Sequence, residues 1–127
     1  MANKVKLQKI VEKMNLKNLT PDLDLSEKGV EIPDINRPAL QLTGFFEHFD
    51  SERVQIIGYV EYTFLEKMEE GEKKKIYETL LSYKIPCLIF CRNLPPEQML
   101  LDMAAEADVP IFQTEKKTSE FTSELIR

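Results

Sequence analysis

The chain has 127 residues, 43% of them hydrophobic and 31% charged, and carries a formal net charge of −5. That length suits one domain around one core, and the acidic balance argues against a nucleic-acid or membrane-surface role. The start, MANKVKLQKIVEKM, is charged throughout, unlike the apolar centre of a secretory signal, so a cytoplasmic origin is expected.

Leu7, Ile10, Val11 and Met14 recur at helical spacing, which predicts an amphipathic helix ending near Asn15. Leu23 and Leu25 alternate with Asp22, Asp24 and Ser26, and Val30 and Ile32 flank Glu31. With Ser26, Glu27, Lys28 and Gly29 as the turn between them, this predicts a small hairpin. Pro33-Asp34 and Arg37-Pro38 punctuate a loop. Pro38 then opens a second predicted helix, with Leu42, Phe45, Phe46 and Phe49 as its buried stripe. Gly44 inside that helix costs about 1 kcal/mol relative to alanine, which points to close approach by a neighbouring strand. His48, the only histidine, falls away from the stripe and reads as a surface residue rather than a catalytic one.

Val54 to Ile57 is β-branched-rich and predicts a strand ending at Gly58. Val60, Phe64, Leu65 and Met68 mark a helix that Gly71 breaks, and Ile76, Tyr77, Leu80 and Leu81 mark the next. Ile85 to Cys91 predicts a strand apolar on both faces, as inside a parallel sheet. Cys87 and Cys91 share one side of it as small hydrophobes, and their spacing does not suit a zinc site. Pro95-Pro96-Glu97 opens a helix buried through Met99, Leu100, Met103, Ala104 and Ala107. Val109 to Phe112 is the next strand, and Thr118 or Ser119 caps a last helix carrying Phe121 and Leu125. Leu125-Ile126-Arg127 stops without a helix-ending signal, so a longer natural chain is expected. The alternation from Val54 onward predicts an α/β fold, a mostly parallel sheet built from βα units with flanking helices, spanning 1–127 as a single domain.

The four glycines, Gly29, Gly44, Gly58 and Gly71, lie too far apart to write GxxxxGK[ST] or GxGxxG, so a glycine loop cradling phosphates is excluded. No HExxH or GxSxG occurs either. Asp50, Glu52 and Glu61 flank the first sheet strand, where a carboxylate can act as a general base, although 22 acidic residues make chance clustering expected. The basic runs Lys73-Lys74-Lys75 and Lys116-Lys117 read as solvated faces. Ligands collect beyond the carboxyl ends of parallel strands. There Gly58, Arg92, Asn93, Gln113 and Thr114 could line a rim, with Arg92 as a fork for a small anion. The competing reading pairs Arg92 with a surface carboxylate.

Asn36-Arg37-Pro38, Leu40, Leu42, Gly44-Phe45, Phe49, Ser51-Glu52-Arg53, Gln55, Gly58 and Glu61 together resemble the N-terminal domain of HPr kinase/phosphorylase. The likeness extends through IPCLIFCRNLPP and DVPIFQTEKKTSEFTSEL. It implies a parent that phosphorylates a serine of HPr with ATP or pyrophosphate and reverses the step by phosphorolysis, in bacterial carbon catabolite control. The resemblance places the P-loop and Mg²⁺ site in a C-terminal domain absent here, with hexamers built mainly through that domain. It likens this domain to the N-terminal domain of the muramyl-peptide ligases. No catalytic residue, metal or cofactor is expected in this chain, and its expected partners are its own kinase domain and, through the whole enzyme, HPr. Two alternatives stand beside a non-catalytic domain. One is a ligand- or nucleotide-sensing module using Arg37, Arg53, Gln55 and Arg92, with Arg53–Glu52 pairing as the competing structural role. The other is an assembly or docking domain anchored by Phe45, Phe46 and Phe49.

Overall fold

A computed structural model describes residues 5–30 and 35–125. A two-residue strand β1 (Val5–Lys6) leads into helix α1 (Leu7–Met14), then β2 (Lys17–Asn18), β3 (Gly29–Val30) and β4 (Ile35–Asn36). After a long connection come β5 (Val54–Ile57), α2 (Tyr59–Glu66), α3 (Glu70–Ser82), β6 (Leu88–Phe90), α4 (Gln98–Ala107), β7 (Ile111–Gln113) and α5 (Thr118–Leu125). The main sheet is mixed, in the order β2-β7-β6-β5-β4. Its β4–β5, β5–β6 and β6–β7 pairs are parallel, and β2 is added antiparallel to β7.

The sheet divides two apolar cores. Val54, Ile56, Cys87, Ile89, Cys91 and Phe112 face one core with α1 and α5, whereas Ile57, Leu88, Phe90 and Ile111 face the other with α2, α3 and α4. The period-two alternation of a strand produces this division, and it puts both cysteines on one side, as the sequence predicts. Both are buried free thiols. Burial pushes the Cys87 thiol up to about 12.

Several expected elements hold. The first helix stops at Asn15, whose left-handed φ of 52° lets the Leu16 amide donate back to the Val11 carbonyl (3.0 Å). Others change. The hairpin over Leu23–Ile32 does not form as predicted: Leu23 and Leu25 lie in turns, and Gly29–Val30 pairs instead with Val5–Lys6. Its far end, Glu31 and Ile32, lies outside the described residues, as do Pro33-Asp34 and the helix end at Ile126-Arg127.

The helix predicted after Pro38 shrinks to one 3₁₀ turn, Gln41–Thr43, closed by Gly44 at φ 98°. No neighbouring atom lies within 4 Å of the position a Gly44 Cβ would take, so close backbone approach is not its reason. What replaces the helical stripe is an aromatic cluster. Phe46 stacks on Tyr83 (5.4 Å), and Phe49 meets both rings edge-on (5.1 and 5.7 Å). Phe45 remains exposed. The break before α3 falls at Lys67–Glu69, and Gly71 lies inside that helix's first turn.

Candidate functional site

The carboxyl ends of β4, β5 and β6 meet at a polar cluster. Gly58 alone separates β5 from α2, and its amide donates to Glu61 Oε1 at 2.7 Å. A carboxylate three residues into the helix thus satisfies a donor that the helix start leaves open. Arg37, just past β4, donates to the same oxygen from Nη2 (3.0 Å) and Nε (3.3 Å). Glu61 is 3% exposed, so this guanidinium supplies the counter-charge its burial requires. Thr118, opening α5, closes the cluster: a Cβ on Gly58 would lie 2.7 Å from its Oγ1 and 2.9 Å from Arg37 Nη2. Burial pushes the Cys91 thiol up, opposed by the Thr118 hydrogen bond and by the charges of Arg37 and Arg92.

Beside this cluster the loops are tied to each other. The Arg92 amide donates to Lys116 O (3.0 Å), the Asn93 amide to Thr114 O (2.8 Å) and Gln113 Nε2 to Leu94 O (3.1 Å). Arg92 and Asn93 both take left-handed φ values, 58° and 54°, to make the turn. Of the four residues expected to meet a ligand, Arg37 and Arg92 therefore share the rim. Arg53 and Gln55 do not join them. Gln55 is fully buried, accepts from Asn36 Nδ2 (2.7 Å) and donates to the Asp50 and Arg53 carbonyls (2.9 Å each), which pins the turn entering β5. Arg53 Nη1 sits 4.0 Å from Asp50 rather than pairing with Glu52. Asp50 and Glu52 precede β5 while Glu61 follows it, so these carboxylates form no group. His48 is exposed.

Sequence reasoning missed the second polar feature, a cavity of about 260 Å³ bounded by α2, α3 and the start of α4, with Phe90 of β6 in its lining. Lys73 enters it from α3 with its side chain only 8% exposed, between Glu97 Oε1 (2.9 Å) and Glu70 Oε1 (3.3 Å). Burial works to lower the Lys73 pKa, but the two carboxylates outweigh it and hold it above the ordinary value. Tyr77 Oη donates to the same Glu97 oxygen (2.8 Å), and burial followed by that carboxylate raises its pKa. A lysine run flanked by glutamates disguised Lys73, since only the fold shows which of three lysines turns inward. Among the described residues no group of three or more His, Cys, Asp or Glu could hold a metal ion. No described helix is long and apolar enough to cross a membrane.

Residues 5–127 match the family model described as HPr Serine kinase N terminus. The chain belongs to this family. HPr kinase/phosphorylase of Lachnoclostridium phytofermentans is 53% identical over 97% of this chain but only 40% of its own length. That of Caldicellulosiruptor bescii is 38% identical over 92% of the chain and 38% of its own length. The chain thus spans about two fifths of these HPr kinase relatives. Among solved structures, the CBS and DRTGG domains of the regulatory region of Clostridium perfringens pyrophosphatase, complexed with diadenosine tetraphosphate, match with a TM-score of 0.66. Identity there is 13%, covering 95% of this chain and 46% of that one. The HPr kinase N-terminal family therefore shares its α/β fold with that regulatory region, and the fold is not tied to the muramyl-peptide ligases in particular.

Proposed function

We propose that the chain is the non-catalytic N-terminal domain, 1–127, of a cytoplasmic bifunctional HPr serine kinase/phosphorylase. One observation carries this reading: the anion position at the start of α2 is filled by the protein's own Glu61 carboxylate, bonded to the Gly58 amide and to Arg37. A phosphate placed there would meet a buried negative charge instead of open amides. These residues do not fit a nucleoside triphosphate. Phosphoryl chemistry, with ATP or pyrophosphate and Mg²⁺, then belongs to a separate C-terminal domain, as does most of the hexamer contact. The parent would phosphorylate HPr and reverse the step by phosphorolysis in carbon catabolite regulation. A wider fold kinship with the muramyl-peptide ligases is part of the same proposal.

Incubating residues 1–127 with HPr, radiolabelled ATP and Mg²⁺ tests the reading. No label should reach HPr, and full-length parent should transfer it. Robust transfer by the domain alone would overturn the proposal.

A docking role has its own support. On α2, Tyr59, Val60 and Phe64 are 60%, 66% and 42% exposed, an apolar face without a partner among the described residues. The relatives carry some three fifths of their length beyond the matched part. We assign that face to contact with the parent's own C-terminal domain. Of the aromatic residues first expected to serve, Phe45, Phe46 and Phe49, the last two are engaged with Tyr83 and Phe45 is exposed.

A further inference from the structure

We infer that the cavity between α2, α3 and α4 is a binding site for a small protonated alkylamine. Its hydrogen-bonding capacity points that way. Tyr62 Oη donates to the Pro95 carbonyl (2.7 Å) and Tyr77 Oη donates to Glu97 Oε1 (2.8 Å). Each hydroxyl has one proton to give, so both present only acceptor lone pairs to a guest. Glu97 Oε2 receives no donor from the described residues, and Lys73 is already held by Glu97 and Glu70. With two of the three Lys73 N–H bonds already placed, the lining offers more open acceptors than donors, and an ammonium ion brings the donors that are short.

Charge agrees. Glu66 and Glu97 line the cavity against the single ammonium of Lys73, and Glu70 takes up part of that charge from outside the lining. The potential favours a cation and disfavours phosphates. The walls agree as well. The rings of Tyr62 and Phe90 stand at 87° with centroids 6.3 Å apart, forming an aromatic corner. Such rings attract ammonium groups through their faces while accommodating an alkyl stem. The cavity is distinct from the Arg37–Glu61 cluster, which is closed by its own ion pair. The claim does not depend on the domain's place in a kinase.

The test uses the 127-residue chain with n-butylamine at neutral pH, against n-butanol of the same shape and inorganic phosphate, read by amide NMR shifts. Butylammonium should move amides of α2 and the first turn of α4 saturably, more weakly at high salt, while butanol and phosphate leave them in place. Glu97→Gln keeps an acceptor for Lys73 and Tyr77 but removes the charge, and should weaken binding about tenfold. Glu66→Gln, at an exposed position that leaves the fold intact, should weaken it about twofold to threefold. Equal binding of butanol, preferential binding of phosphate, or no shift with the amine would each overturn the assignment.

Discussion

Three of the chain's glycines separate what a methyl group costs by its cause. At Gly58 backbone conformation is no obstacle, but a Cβ would meet Thr118 Oγ1 at 2.7 Å, Arg37 Nη2 at 2.9 Å and Glu61 Oε1 at 3.2 Å. Gly44 has open space but a φ of 98°, and Gly71 has open space in a helix's first turn. Gly58→Ala should therefore destabilise by about 1–3 kcal/mol through overpacking. Gly44→Ala should cost about 1–2 kcal/mol through strain. Gly71→Ala should stabilise by several tenths of a kcal/mol. Urea unfolding of the three variants checks the ranking, and a neutral Gly58→Ala would mean the cluster around Arg37 is loose. The sequence contained part of this. Glu61 stands three residues after Gly58, the spacing of a carboxylate that caps a helix start, yet among 22 acidic residues it looked ordinary. Thr118 reads in the sequence only as a cap of the last helix, and nothing there signals its approach to Gly58, which crosses from one sheet connection to another.

Among the elements, those with one dominant requirement were legible. Val54–Ile57 and the apolar run around Leu88–Phe90 needed only burial on both faces, and they are the central strands. For α2, two stripes fit the same eight residues, Val60 with Phe64 or Glu61 with Leu65. Capping decides between them: Glu61 must turn inward to reach the Gly58 amide, which carries Leu65 into the core and leaves Val60 and Phe64 outside. No hydrophobicity argument anticipates a carboxylate setting the rotation of a helix. Likewise the spacing of Phe46 and Phe49 suits a helix, but the rings pack on Tyr83 from irregular backbone. The outward face of α2 supports a prediction in the full-length parent. Val60→Asp with Phe64→Asp should leave the thermal midpoint of isolated 1–127 almost unchanged while accelerating proteolysis between the two parts of the parent. An unaltered cleavage rate would remove α2 from the contact.

The whole molecule joins two cores through one sheet, and each side contains a group that resists losing its proton. Cys87 is pushed to about 12 by burial, Tyr77 is raised by burial and by Glu97, and Lys73 is held above its usual value because Glu97 and Glu70 outweigh burial. All three folded values exceed the unfolded ones, so the unfolded chain releases protons first as pH rises. Their contribution is complete below about pH 9, the ordinary thiol value, and is lost progressively above it. Thermal denaturation followed from pH 8 to 11 should show a falling midpoint, about level below pH 9 and steeper above 10. Cys87→Ala should lower the midpoint overall but flatten the first part of that fall. A midpoint rising with alkalinity would contradict the burial of these groups.

The order β4, β5, β6, β7 across the sheet repeats the order along the chain, so each parallel strand docks beside the one made just before it. During synthesis the sheet can grow as the polypeptide leaves the ribosome. The exception is β2, whose Lys17 and Asn18 pair with Gln113 and Phe112. This edge must wait for nearly the last strand to emerge, so a nascent chain halted before Ile111 would keep Lys17 and Asn18 without their sheet partner and open to chaperones.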